Sequence, residues 1–490
     1  MPQKPNILLI TTDQQRWDTI HALGNNHIYT PHLNWLCDTG IWYSRAYSEC
    51  PVCMPARATI MTGLPGYLHG SVDNDDGEPI RGHPTIPSVL TAEGYETRGQ
   101  GKMHFQPMRK KFSFETLEIA LDYYRGKSRS DPEEVGLQHG LGQNEMEPAI
   151  GSVDSNRTLT RWVVDRSIDF LDTRDEERPF FLWSSFSKPH PPFDPSLRFW
   201  ELYHDSDMPE VVLGNWSENV KDIHPSLAEP TWKLNNAQRF SPAQIRQIRR
   251  AYYACISEVD YALGRLFAEL RERQLLKNTL IVFTSDHGEM LGDHNLGAKS
   301  LFLEPSTHIP MIIRPPGEND TDSRRGTVCH AIAGLQDIFP TLLHAAGCEE
   351  KIPPDAPGMD LLGFATLERS ETAGARGREQ MFGQCAHRFM HLKGSWKYLY
   401  SALGQHHMLF DLSSDPMERE DRSGYEIQRC EAMHAELVTE LRATPGGRRY
   451  LDSTSETGDG FDAVPILKDV RRFNAWPGFH SNPSETDLLH

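Results

Sequence analysis

Five short β-rich runs recur along the chain: NILLITT (6–12), YETRGQG (95–101), PFFLWSSF (179–186), TLIVFTS (279–285) and IPMIIRP (309–315), with helical stretches between them. Near-continuous apolar strands separated by helices require a buried, mostly parallel sheet with helices on both faces. In such sheets ligands bind beyond the carboxyl ends of the strands. Polar residues follow several of the runs directly: Asp13 after the first, Lys102 and His104 after the second, Lys188 and His190 after the third, Asp286 and His287 after the fourth. One catalytic face is therefore expected. The clearest helix is about 241–274, with Ser241 as N-cap and Pro242 at the first helical position.

A chain of 490 residues is too long for one core, and the larger domain should take ~250–350 residues. The boundary falls in 350–380, rich in Pro, Gly and charge, after a last helix in GLQDIFPTLLHAAG (334–347). The expected division is a catalytic α/β domain over 1–375 and a smaller α+β domain over 376–443, in which MFGQCAH, FMHLKGSWKYLYS and HHMLFDL form an antiparallel sheet. Residues 444–490 form an arm or tail, placed to pack on a second copy in a homo-oligomer. The connections 106–157 and 204–240 read as loops shaping the rim of the site. With 50 basic and 68 acidic residues, net −18, the chain lacks the basic surface that nucleic acids and anionic membranes need. The NILLITT run is too short for a signal segment or a membrane span, so a cytoplasmic protein is expected. Eight scattered cysteines make no disulfide framework, and the one CxxC, Cys50 with Cys53, has no second pair for a zinc site.

That CxxC lies in CPVCMPARATIMTG (50–63), which also places Cys53, Pro55 and Arg57 as CxPxR. Pro55 suits a first helical position, and ATIMTG runs on to a glycine stop. Cys53 would then stand at a helix N-terminus, where free N–H groups and the dipole favour an anion, with Arg57 one turn further in. Such a place holds a tetrahedral oxyanion. Taken alone, five residues at this spacing also arise by chance.

Asp13, Gln14, Asp286 and His287 offer oxygen and nitrogen donors at two strand ends, a set suited to Ca²⁺ or Mn²⁺. Glu289, Asp293 and His294 in SDHGEMLGDH keep the choice of ligands open. Lys102 with His104, and Lys188 with His190, are i,i+2 pairs that an extended segment would turn to one face, toward one anion. His190 is flanked by Pro189, Pro191 and Pro192, which stiffen its backbone and suit a general acid. Lys299, in GAKS, is unremarkable by itself.

CxPxR followed by TG at 62–63 resembles the signature of the formylglycine-dependent type I sulfatases, of the alkaline phosphatase-like superfamily. The order of PNILLITTDQ, TPHLNWLCDTG, GKMHF, KPHPPF, TLIVFTSDHGEMLGDH, GAKS, PTLLHAAG, WKYLY and LFDLSSDPMERED matches that family over about 5–425. The resemblance implies that a formylglycine-generating enzyme converts Cys53 to formylglycine, whose hydrate is the nucleophile. It implies that Asp13, Gln14, Asp286, His287 and residue 53 bind one divalent cation, Ca²⁺ first and Mn²⁺ as the alternative. Arg57, Lys102 and Lys299 would hold the sulfate and the hydrated aldehyde, and His190 would protonate or hydrogen-bond the leaving oxygen. His104 would help remove the second hydroxyl proton, so that the sulfated intermediate collapses and releases sulfate. Many members carry Asp at the position of Gln14, Asn at that of His287 and Ser at that of Ala56. Since maturation is thought to need chiefly the Cys, Pro and Arg, conversion is still expected.

Hydrolysis of an aryl or carbohydrate sulfate ester is the first reading. GKMHF and KPHPPF are most similar to the iduronate-sulfatase and choline-sulfatase branches. A phosphonate monoester or phosphodiester hydrolase of the same superfamily is the alternative, since its members also show CxPAR; Lys102 and His104, which those relatives lack, favour sulfate. A non-catalytic metal-dependent binding protein would have no need of Cys53, Arg57 and both histidines together.

Overall fold

The structure, a computed structural model, describes residues 4–451 apart from 75, 77–79, 81, 126–140, 143, 218–235, 318–321, 364–376 and 403–404. Its centre is an eight-stranded sheet in the order β5-β4-β6-β1-β7-β8-β2-β9. These are β1 (Asn6–Asp13), β2 (Ile41–Tyr43), β4 (Glu96–Gly101), β5 (Thr116–Ile119), β6 (Phe180–Pro189), β7 (Thr279–Ser285), β8 (Met311–Arg314) and β9 (Thr327–Cys329). A small β3 (Ala46–Tyr47) pairs with β10 (Ala333–Gly334) beside it. From β5 to β7 every pairing is parallel, whereas β8 is antiparallel to both β7 and β2.

β1 is apolar at its centre, Ile7 to Ile10, because both of its faces are covered there. Ile7 and Leu9 belong to one core, with Ile60 and Met61 of helix Cys53–Thr62 and Phe339 and Leu342 of helix Ile338–Ala346. Leu8 and Ile10 point the other way, into a second core with Val163, Phe170, Leu263 and Phe267 from helices Leu159–Thr173 and Pro242–Glu272. The long helix starts as expected, with the Ser241 side chain accepting from Gln244 N and Pro242 in the first turn.

Strands β11 (Gln380–Cys385), β12 (Arg388–Lys393), β13 (Trp396–Ser401) and β14 (His406–Asp411) form the expected antiparallel sheet. Its Met381, Met390, Leu399 and Phe410 share a core with Cys50, Val52, Leu301 and Phe302, so it packs against the segment that leads into the CxPxR helix. Helix Ile427–Arg442, not singled out from the sequence, covers this sheet's other face through Met433, Leu437 and Leu441. Of the C-terminal arm, Pro445–Leu451 is helical, and residues from 452 on lie outside the described ones. The connection expected as loop over 106–157 contains β5 and helix Ala120–Tyr124. Among the described residues no helix is long and apolar enough to cross a membrane, and all eight cysteines are free.

Candidate active site

Strand register brings the polar residues together. Thr12 pairs with Ser285 and Asp13 with Pro189, so Asp13 stands between Asp286 on one side and His190 on the other. Gly101 pairs with Ser185, and Lys102 N donates to Ser185 O at 2.9 Å, which sets Lys102 at the same end of the sheet.

Helix Cys53–Thr62 points its N-terminus at this row, and Gly63, at φ 72°, ends it. Cys53 is the first helical residue and Pro55 the third, two places later than expected. The proline is still harmless, because the first helical N–H to find a backbone partner is that of Ala56, to Val52 O at 3.0 Å. Asn74 Oδ1 accepts from Met54 N at 3.0 Å and covers one of the free donors.

Cys53 Sγ lies 3.2 Å from His287 Nε2 and 3.8 Å from Asp13 Oδ1. Arg57, fully buried, donates from Nε to Asp286 Oδ2 at 2.9 Å and from Nη2 to Asp13 Oδ2 at 3.1 Å. Its Nη1 donates to Lys102 O at 2.5 Å and Ser185 Oγ at 2.8 Å. The Lys102 ammonium is 2.7 Å from Asp13 Oδ2. His190 directs Nδ1 to the adjacent Pro191 O at 2.8 Å and receives Lys299 Nζ on Nε2 at 2.8 Å. His104, at φ 56°, hydrogen-bonds the Cys53 sulfur.

Two expectations about geometry change. The left-handed backbone of His104 means that it and Lys102 converge without the extended i,i+2 arrangement. Lys188 turns away altogether: its ammonium pairs with the half-buried Asp194 and donates to Pro192 O at 2.7 Å.

Cation and anion are closely matched here. Burial would push the Cys53 thiol up, but Lys299, Lys102 and His287 outweigh it and hold it well below the usual thiol range. Burial pushes Asp286 up to about 6, with Asp13 adding to the effect. Burial, then Lys102 and Lys299, keep His190 well below its ordinary value.

One donor atom each from Asp13, Cys53, Asp286 and His287, all buried, lies within 4.8 Å of the others. His287 Nδ1 is engaged by Gly288 O at 3.0 Å, which leaves Nε2 to face the cluster. Two carboxylates and an imidazole at this spacing fit one divalent cation. Gln14 is engaged elsewhere: its Oε1 accepts from Lys299 Nζ at 2.6 Å and its Nε2 donates to Glu289. Asp293 is a brace, between Arg16 at 2.7 Å and Arg249 at 2.6 Å. His294 stacks on Trp216.

A family model described as Sulfatase matches residues 5–348. The chain belongs to the sulfatase family. This sulfatase is 31% identical to an arylsulfatase of Clostridium perfringens, over 96% of its own length and 100% of the relative's. It is 30% identical to a choline-sulfatase of Rhizobium meliloti, over 85% of this chain and 81% of that one. Among solved structures it resembles the phosphonate monoester hydrolase of Agrobacterium radiobacter, at 26% identity and a TM-score of 0.75, covering 90% of this chain and 95% of that one. The fold of the sulfatase is thus that of the alkaline phosphatase-like enzymes, as the sequence resemblance implied.

Two residues of the sulfatase's site escape sequence reasoning. Ser185 receives Arg57 and donates to Lys102 O at 2.6 Å; its one signal is its place near a strand end. Tyr252, in the long helix, donates to Gln14 O at 2.6 Å and accepts from Arg16 N at 2.9 Å; no local pattern marks it.

Proposed function

We propose that this sulfatase hydrolyses an aryl or carbohydrate sulfate monoester, with Cys53 converted to formylglycine by a maturation enzyme and one divalent cation, Ca²⁺ first and Mn²⁺ as the alternative. The supporting observation is the convergence of Lys102, His104, His190 and Lys299 around residue 53 at the N-terminus of its helix. Asp13, Asp286, His287 and residue 53 would hold the cation, with Gln14 beside them. The hydrated aldehyde supplies the nucleophile and the cation a Lewis acid that lowers its pKa.

The remaining roles belong to the chain's own side chains. Lys102 and Lys299 receive the sulfate oxygens, and Arg57 holds Asp13 and Asp286 in place while adding its charge to the anion's surroundings. His190, its ring held by the bond from Nδ1 to Pro191 O, faces the leaving oxygen with Nε2 and protonates it once Nε2 has taken a proton from the Lys299 ammonium that already donates to it. His104, bonded to the atom at position 53, takes the proton from the second hydroxyl there. The same reading assigns 1–375 to the catalytic domain, 376–443 to the smaller one and 444–490 to an arm at a homo-oligomer contact, in a cytoplasmic enzyme.

A second reading, phosphonate monoester hydrolysis, is favoured by the likeness to the Agrobacterium radiobacter enzyme. Lys102 and His104 speak for sulfate. The test compares kcat/KM of the mature protein for one aryl sulfate and one aryl phosphonate monoester. The sulfate should be the better substrate, and a preference for the phosphonate overturns the proposal.

A further inference from the structure

Glu289 lies two residues beyond His287, fully buried, and is not among the four clustered metal donors. Its two oxygens have different partners. Oε1 accepts from Leu291 N at 3.0 Å and from Ala298 N at 2.6 Å, while Oε2 accepts from Gln14 Nε2. With its nitrogen so engaged, the Gln14 amide must turn its oxygen toward Lys299, which donates to it at 2.6 Å.

Both contacts bear on Lys299. One fixes the N–H of the residue before it; the other fixes the amide that receives its ammonium. Lys299 is held between Ala298 at φ 62° and Ser300 at φ 75°, a backbone that non-glycine residues keep only where their surroundings enforce it. On the far side Ser300 N donates to Pro51 O at 3.0 Å, and Arg388 Nη1 donates to Ser300 O at 2.8 Å.

We propose that Glu289 is a positioning residue for the sulfatase reaction, setting the Lys299 ammonium beside His190 through the Gln14 amide and the Ala298 N–H. This rests on the role of Lys299 in receiving the sulfate. Glu289→Gln is the sharpest probe. The introduced amide can keep its oxygen on the two backbone N–H groups, but its nitrogen then meets the nitrogen of Gln14, and two donors cannot pair. Gln14 turns over and presents donors to an ammonium that is itself a donor.

The experiment is a double-mutant cycle on the mature, metal-loaded protein with an aryl sulfate. Glu289→Gln should lower kcat/KM about 10- to 100-fold, the value of one charge-assisted hydrogen bond. In a Lys299→Ala background the same change should alter kcat/KM less than about twofold. Metal content by elemental analysis and formylglycine content by peptide mass spectrometry should match wild type. A full, additive loss in the Lys299→Ala background overturns the proposal, and so does a loss of bound metal. Wild-type kcat/KM in Lys299→Ala alone would remove Lys299 from the proposed function and this inference with it, which an additive result would not do. Should Glu289→Gln fail to accumulate as folded protein, Gln14→Ala breaks the same bridge, and its effect must likewise vanish in the Lys299→Ala background.

Discussion

Arg57 compensates two buried carboxylates at once, Asp13 and Asp286, while its remaining N–H groups reach Lys102 O and Ser185 Oγ. Such a site is stable only when every charge in it is met. Glu49, four residues before Cys53, is a buried carboxylate of another kind. Its Oε1 accepts from Gln336 N at 3.2 Å, and burial, reinforced by Asp337, pushes its carboxyl up from 4.5 to about 8. A carboxyl whose folded pKa lies above its unfolded value gives stability that is complete below about 4.5 and lost as pH rises through about 8. Between about pH 6 and pH 9 the wild type should therefore lose about 2–3 kcal/mol that Glu49→Gln does not lose. Thermal unfolding of both proteins across that range checks this, and parallel Tm profiles would contradict it. At this scale the sequence made Asp13, Lys102, His190, Asp286 and His287 legible, because each stands at or just beyond the carboxyl end of a strand and parallel register aligns strand ends. Ser185 was not legible as a site residue and Glu289 only as one possible ligand among several: their contacts depend on partners far away in sequence, Arg57 for one and Gln14 for the other.

The elements that carry the site were legible in proportion to their length and burial. β1, β6 and β7 are long and covered on both faces, so each carries an unbroken apolar core, at 7–10, 180–183 and 280–283. β2 and β9, with three residues each, leave no such signature, and an apolar run such as that of β8 carries no sign of its direction. β4 holds its place through a feature that only the backbone reveals. Gly101 has φ 88°, and a Cβ there would sit 1.9 Å from Ser185 O on β6, so no side chain fits without parting the two strands. Gly101→Ala should cost about 2–3 kcal/mol and lower kcat/KM as well, since Lys102 and His104 follow directly. Equilibrium unfolding and aryl sulfate turnover measure the two effects; a variant with wild-type Tm and rate would show that the close approach of β4 to β6 is not required.

Across the whole molecule, the antiparallel sheet is joined to the catalytic face by buried charge as well as by apolar packing. Lys397 on β13 is fully buried and lies 2.7 Å from Glu304 and 2.6 Å from Glu418, while Glu304 also meets His308 at 2.6 Å. Together with the bond from Arg388 to Ser300, this ties the late strands to the segment bearing Lys299. The strands themselves were legible from alternation and turns; their contact with the CxPxR segment was not, because it is made by residues without any local pattern. The most direct test of the central claim is mass spectrometry of the peptide bearing residue 53, from protein produced with a maturation enzyme, paired with aryl sulfate turnover of that protein and of Cys53→Ala. The expected result is an aldehyde at position 53, turnover by the mature protein, and none above background in the variant. An unmodified thiol in fully active protein, or a wild-type rate in Cys53→Ala, would contradict it.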